Sequence, residues 1–146
     1  MKVVIQRVKK ASIKINSSIF ASIEYGMVIF LGIKKGDKTE DVNIFVDKIL
    51  KLRIFEDSFG KMNLSIKDVL GEILIISQFT LYANMEHGNR PSFFESENSI
   101  LAENIYNEFV NYMSQKKIIV KTGKFGSMMD VSLINHGPVT IEMENK

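Results

Sequence analysis

Two short apolar runs constrain this chain most. Residues 27–33 read Met-Val-Ile-Phe-Leu-Gly-Ile between Gly26 and the Gly36-Asp37 turn, and residues 73–76 read Ile-Leu-Ile-Ile before Ser77-Gln78. Each has the length of a strand, is apolar throughout and is bounded by turn or polar residues, so both read as buried strands. Residues 2–8 and 11–16 read as further strands, giving a β-rich first third.

Asp37 and Glu40 have capping-box spacing, and Val42, Phe45, Val46, Ile49 and Leu50 recur at helical spacing, which predicts an amphipathic helix over 39–52. A second helix is expected near 97–114, with Leu101, Ile105, Phe109 and Tyr112 on one face. Residues 118–121, 129–134 and 139–143 return to strands, the last two separated by Gly137-Pro138. Strands with two intervening helices and no strict βαβ alternation imply an α+β fold: a mainly antiparallel sheet or partial barrel with two principal helices. No repeat, linker or low-complexity tract divides the chain, so 1–146 is expected to be a single domain.

At 45% hydrophobic and 25% charged residues the composition is that of a globular chain long enough to bury a core without staples. It contains no cysteine, which excludes thiol nucleophiles, cysteine zinc sites and disulfides. The longest apolar run is far short of a bilayer span, and Lys2, Arg7, Lys9, Lys10 and Lys14 interrupt any leader pattern, so a cytoplasmic protein with no membrane partner is expected. Those five cations, with no acid in the first twenty residues, read either as a phosphate footprint or as a solvated sheet face.

No P-loop, G-x-S-x-G elbow, H-E-x-x-H or dinucleotide fingerprint occurs. The two histidines, His87 and His136, read as loop residues outside any evident triad, and no carboxylate pair is marked as an acid and base couple. Neither a metal nor another cofactor is expected. Read from the residues alone, Ser77-Gln78 is a polar strand end, Gly137-Pro138 a turn between strands, Phe125 and Met129 core packing, and Arg7 a surface charge.

Three stretches add a second reading: residues 75–81 (Ile-Ile-Ser-Gln-Phe-Thr-Leu), 88–93 (Gly-Asn-Arg-Pro-Ser-Phe) and 135–140 (Asn-His-Gly-Pro-Val-Thr). With the opening 3–8, the middle segments 52–57 and 60–63, and 122–126, they resemble the D-aminoacyl-tRNA deacylase family in the same order and across essentially the whole chain. The resemblance implies a homodimer that hydrolyses the ester of D-aminoacyl-tRNA, and of Gly-tRNA mischarged on tRNA-Ala. In it, Gly137-Pro138 of one subunit, as a cis peptide, enters the site formed by Ser77, Gln78, Phe79 and Thr80 of the other. Two carbonyls aimed by such a bond form a wall that accepts hydrogen bonds from a substrate ammonium and excludes the mirror-image Cα substituent.

The resemblance further implies that Arg7 braces the Gly-Pro loop through its carbonyls, that Asn135 belongs to the same chirality-selecting set, and that Phe125 and Met129 line an adenosine pocket. The amides of Gln78 and Phe79 are candidates for an oxyanion site. Thr80 offers a hydroxyl with no identifiable base, so it receives a supporting role, and the 2'-hydroxyl of the terminal adenosine is expected to assist the chemistry. A same-fold deacylase for L-alanine mischarged on tRNA and a non-catalytic RNA-binding module are the alternative readings.

Overall fold

The computed structural model describes residues 1–145. Its main sheet is built on β1 (Lys2–Ile15), which pairs antiparallel with β8 (Asp130–Glu144) along one edge. Along its other edge β1 pairs antiparallel first with β3 (Gly26–Gly32) and then with β2 (Ser18–Ile23). Beyond β3 the pairing becomes parallel, to β6 (Glu72–Ser77) and then β7 (Val120–Thr122). β2 also contacts β6 and β7, so the sheet curls into a nearly closed form. A small hairpin of β4 (Phe55–Glu56) and β5 (Met62–Leu64) stands apart. Among the described residues no helix is long and apolar enough to cross a membrane.

The two apolar runs become the central strands β3 and β6. Met27, Ile29, Leu31, Ile73 and Ile75 point into one core with the helices, while Val28, Leu74 and Ile76 point into a second. Burial on both faces is why neither run alternates. Helices α1 (Val42–Leu50) and α2 (Ser99–Ser114) pack on each other over the first core, burying Val42, Phe45 and Ile49 from one and Ile105, Tyr106 and Phe109 from the other. The Tyr106 hydroxyl donates to the Ile75 carbonyl at 3.1 Å, joining α2 to β6. Asn98 caps α2 by accepting from the amide of Leu101.

Several boundaries differ from expectation. Residues 2–8 and 11–16 form one strand, because β1 changes core at Val8: Val3 and Ile5 enter the first core, Val8, Ala11 and Ile13 the second. Two register shifts against β8, at Gln6/Val8 and Val8/Lys10, accommodate the bend. Residues 129–134 and 139–143 likewise belong to one strand, β8, interrupted by a bulge instead of a break. Asp37 does not cap α1. Its carboxylate accepts from the Lys34 amide at 2.7 Å and pairs with the N-terminal ammonium, and a 3-10 turn (Thr39–Asp41) precedes the helix. Strand β2 and the β4–β5 hairpin are absent from the sequence-based reading, since exposed Ile19 and Phe20 and the two-residue strand β4 carry little periodic signal.

Candidate active site

Ser77 ends β6, and the chain turns at once into a 3-10 segment, Phe79–Tyr82. The turn lies against β3 because Gly32 has no side chain: a Cβ there would sit 3.0 Å from the Gln78 carbonyl oxygen and 3.1 Å from Leu81 Cβ. The amide of Gln78 donates to the Leu31 carbonyl at 2.8 Å, extending the β3–β6 pairing by one bond. It is therefore unavailable to a substrate, contrary to its expected place in an oxyanion site. The amide of Phe79 opens the 3-10 segment and has no acceptor among the described residues, as is usual for the first donors of a helical turn. The Ser96 hydroxyl donates to the Phe79 carbonyl at 2.9 Å and fixes the next peptide, Phe79–Thr80. The Thr80 hydroxyl accepts from the Gln78 side-chain amide.

A cavity of about 660 Å³ opens beside this turn. Ser77, Gln78 and Phe79 form one wall, Phe125 and Met129 another, and Phe93 and Ser96 a third. Phe125 is steadied by Tyr106, ring centroids 5.5 Å apart, and Met129 lies over Gly123, where a Cβ would come within 2.8 Å of its sulfur. An aromatic ring and a thioether thus share one largely apolar lining with the strand end. Sequence reasoning missed Glu97, the one acidic side chain on this lining among the described residues; its Oε1 accepts from the amide and the side chain of Asn98. Phe93 was legible only as part of the motif 88–93.

The other expected site residues lie elsewhere. Between Gln6 facing Thr140 and Val8 facing Asn135, β8 spends five residue steps against two of β1, so residues 136–139 bulge from the sheet as a loop. Its Gly137-Pro138 bond is cis, and Gly137 has φ +129°. Arg7 sits beneath this loop. At 1% exposure it is the opposite of a surface charge. Its Nε donates to the His136 carbonyl at 2.9 Å, its Nη1 to the Ile54 carbonyl at 2.7 Å, and its Nη2 meets Glu56 at 3.2 Å. The fork of donors on one planar group explains why arginine serves here.

Asn135 spans the bulge: its Oδ1 accepts from the Val139 amide at 3.2 Å, and its Nδ2 donates to Gln6 and Thr140. Its polar groups hold the loop that carries Gly137 and Pro138. His136 stacks edge-on to Tyr25, ring centroids 5.9 Å apart. Arg7 pairs with Met27, which lies four residues, about 13 Å of strand, from Leu31 on the cavity lining. Thr80, Arg7, Asn135, Gly137 and Pro138 do not line that cavity.

The sequence matches a known family over nearly its whole length. The model of the family described as D-Tyr-tRNA(Tyr) deacylase matches residues 4–144. The chain belongs to this family. It is 49% identical over 146 residues to the D-aminoacyl-tRNA deacylase of Aquifex aeolicus, covering 100% of this chain and 99% of that one. It is 51% identical over the same length to that of Dictyoglomus turgidum, covering 94% of the relative. Among solved structures, one titled c-Myc DNA Unwinding Element Binding Protein superposes with a TM-score of 0.94 at 40% identity, over 100% of this chain and 99% of the other. A probable eukaryotic D-amino acid tRNA deacylase shares the fold at a TM-score of 0.83, with 15% identity and 97% of each chain covered.

Proposed function

We infer that this deacylase-family protein hydrolyses the ester joining a D-amino acid to the 3'-terminal adenosine of tRNA, in the cytoplasm. The observation that carries the reading is the unpartnered Phe79 amide at the edge of a cavity whose other wall is Phe125 and Met129. Phe125 and Met129 hold the adenine, the ester carbonyl oxygen takes the Phe79 N–H, and Ser77 and Gln78 set the turn that presents it. Water adds to the carbonyl carbon, negative charge collects on the oxygen at that amide, and the 3'-oxygen departs with a proton. The adjacent ribose 2'-hydroxyl handles that proton transfer, its proximity supplied covalently by the substrate. Thr80 supports the turn through Gln78.

Chirality is read by a second copy of the chain. Gly137 and Pro138 project on a loop held by Arg7 and Asn135, outside their own chain's cavity. Along the same strand Val131 and Leu133 pack on the second core and Val139, Ile141 and Met143 on the first, all only half-buried, and a homodimer would cover what they leave exposed. Carbonyls of the partner's loop then meet the substrate ammonium and close the space an L side chain would need. Achiral glycine escapes this exclusion, so Gly-tRNA is cleaved as well.

The test is release of free amino acid from D-Tyr-tRNA, L-Tyr-tRNA and Gly-tRNA, with a control lacking protein. Cleavage of the D and glycyl esters with the L ester spared is expected. Cleavage of L-Tyr-tRNA at the D rate overturns the chirality assignment, and no release from any of the three overturns the hydrolase. Light scattering should give a dimer; a fully active monomer removes the role of the partner loop.

A further inference from the structure

The rim of the cavity carries more exposed aromatic surface than the reaction uses. Phe79 is 57% exposed and Phe94 78% exposed, while Phe93 between them is at 37% and turns into the cavity. Phe79 and Phe93 meet edge to face with centroids 4.9 Å apart. The Phe79 and Phe93 rings thus meet at the cavity, and Phe94, next in sequence, stands in solvent outside its lining.

This surface is fixed in place. The segment bearing Phe93 and Phe94 is bonded to the continuation of β3 through Lys35 N–H to the Glu95 carbonyl at 2.9 Å and Glu97 N–H to the Ile33 carbonyl at 3.0 Å. Reciprocal bonds of 2.8 Å between Asn84 and Ser92 close the loop that precedes it. Such anchoring removes the ordering cost that a mobile loop would bring to binding.

The ring of Phe94 is paired with a cation. The Lys35 ammonium lies 3.4 Å from its centroid, and the same loop displays an exposed Arg90. An aromatic face with lysine beside it is unlike the core of a protein interface, where lysine is depleted. It matches the combination that binds single-stranded nucleic acid: a π-face for a base and a cation for the backbone.

We propose that Phe94, with Lys35, is a stacking platform for the nucleobase that precedes the terminal adenosine of the substrate RNA. The inference rests on the reading that the cavity takes the 3'-end of aminoacyl-tRNA. With the last adenine between Phe125 and Met129, the strand leaves across Phe93, and the preceding cytosine lies on the face of Phe94 opposite Lys35, whose charge attracts the adjoining phosphate. The platform selects single-stranded ends, because a base within a duplex has no free face to offer.

Binding tests this separately from catalysis. The dissociation constants of the trinucleotide CpCpA and of adenosine monophosphate are measured for the wild type, Phe94→Ala and Phe94→Trp, with deacylation of D-Tyr-tRNA assayed in parallel. Phe94→Ala should weaken CpCpA about 5- to 150-fold, the usual range for losing one stacked base, and leave adenosine monophosphate unchanged. Phe94→Trp should restore the trinucleotide. Equal binding of CpCpA by the wild type and Phe94→Ala, or equal weakening of both ligands, overturns the platform. A change of oligomeric state in Phe94→Ala by light scattering assigns the ring to an interface between copies and also overturns it. If the trinucleotide depends on Phe94 while D-Tyr-tRNA is not cleaved, the platform stands and the hydrolase reading fails.

Discussion

Arg7 and His136 are 129 positions apart in sequence, and the Arg7 Nε donates to the His136 carbonyl at 2.9 Å. This bond ties the first strand to the loop that carries Gly137 and Pro138. Replacing Arg7 with methionine leaves the His136 and Ile54 carbonyls without this donor, at roughly 1–3 kcal/mol for each buried group left unsatisfied. For a chain of this length each kcal/mol lowers Tm by about 2–4 °C. We predict a clear fall in Tm and a larger fall in D-Tyr-tRNA cleavage. Lysine should not rescue either, because one ammonium cannot reproduce the fork. Wild-type cleavage by Arg7→Met would show that the loop's position does not matter to the reaction.

Gly137→Ala is predicted to disturb the loop as well as what the loop faces. At φ +129° an added Cβ would lie 2.8 Å from Val139 Cγ2 and 3.0 Å from both Arg7 Nη2 and the Val139 nitrogen. A cost of order 1–3 kcal/mol in stability is expected for a side chain forced into such backbone. Thermal unfolding measures that part. Discrimination between D- and L-Tyr-tRNA measures the other, and undiminished discrimination would remove Gly137 from the chirality wall.

Thr80→Ala should keep most of its activity. The hydroxyl accepts from the Gln78 side chain and does not line the cavity, so its loss loosens a turn without removing a nucleophile. Single-turnover rates decide. A drop of several orders of magnitude with the fold intact would restore Thr80 as the attacking group.

Glu97 and the substrate 2'-hydroxyl are rival handlers of the proton. Glu97 lines the cavity, with its Oε1 occupied by two donors from Asn98. We predict that Glu97→Gln retains a substantial rate, whereas D-aminoacyl-tRNA ending in 2'-deoxyadenosine, acylated on the 3'-oxygen, binds but is cleaved far more slowly. Affinity must be measured alongside the rate, since poor docking of the deoxy sugar would look like lost chemistry. The reverse pattern would make Glu97 the general base.

Acid stability should depend on Asp57. Its carboxylate pKa is lowered chiefly by the backbone N–H of Lys61, then by that of Phe59 and by the Asn63 side chain, with burial opposing. A folded-state value below the unfolded one, about 3.9, means that the stabilisation is present above that pH and is lost as pH falls through the folded value. The urea midpoint of the wild type should therefore drop more steeply below about pH 4 than that of Asp57→Asn. Parallel pH profiles would show that the turn draws nothing from the charge.

What the chain's own order determined is the part governed by local pattern. β3 and β6 were readable because burial on two faces demands an unbroken apolar run, and α1 and α2 because burial on one face demands helical spacing. On α2, however, the buried row is Ala102, Ile105, Tyr106, Phe109 and Met113, and the expected Leu101 is exposed. The stretches around Ser77 and Gly137 were legible through family resemblance, and the structure puts the first at a strand end and the second on a bulged loop. Only tertiary pairing decided which groups are free to act. The Leu31 carbonyl takes the Gln78 amide and leaves that of Phe79, a choice made by a strand 47 positions away. Likewise Arg7 is a buried clamp because β8, the β4 strand and β1 converge on it, and Glu97 and Phe93 face the cavity because their segment bonds to the end of β3. Hydrogen bonds of this kind join residues distant in sequence, and a local window contains only one of the two partners.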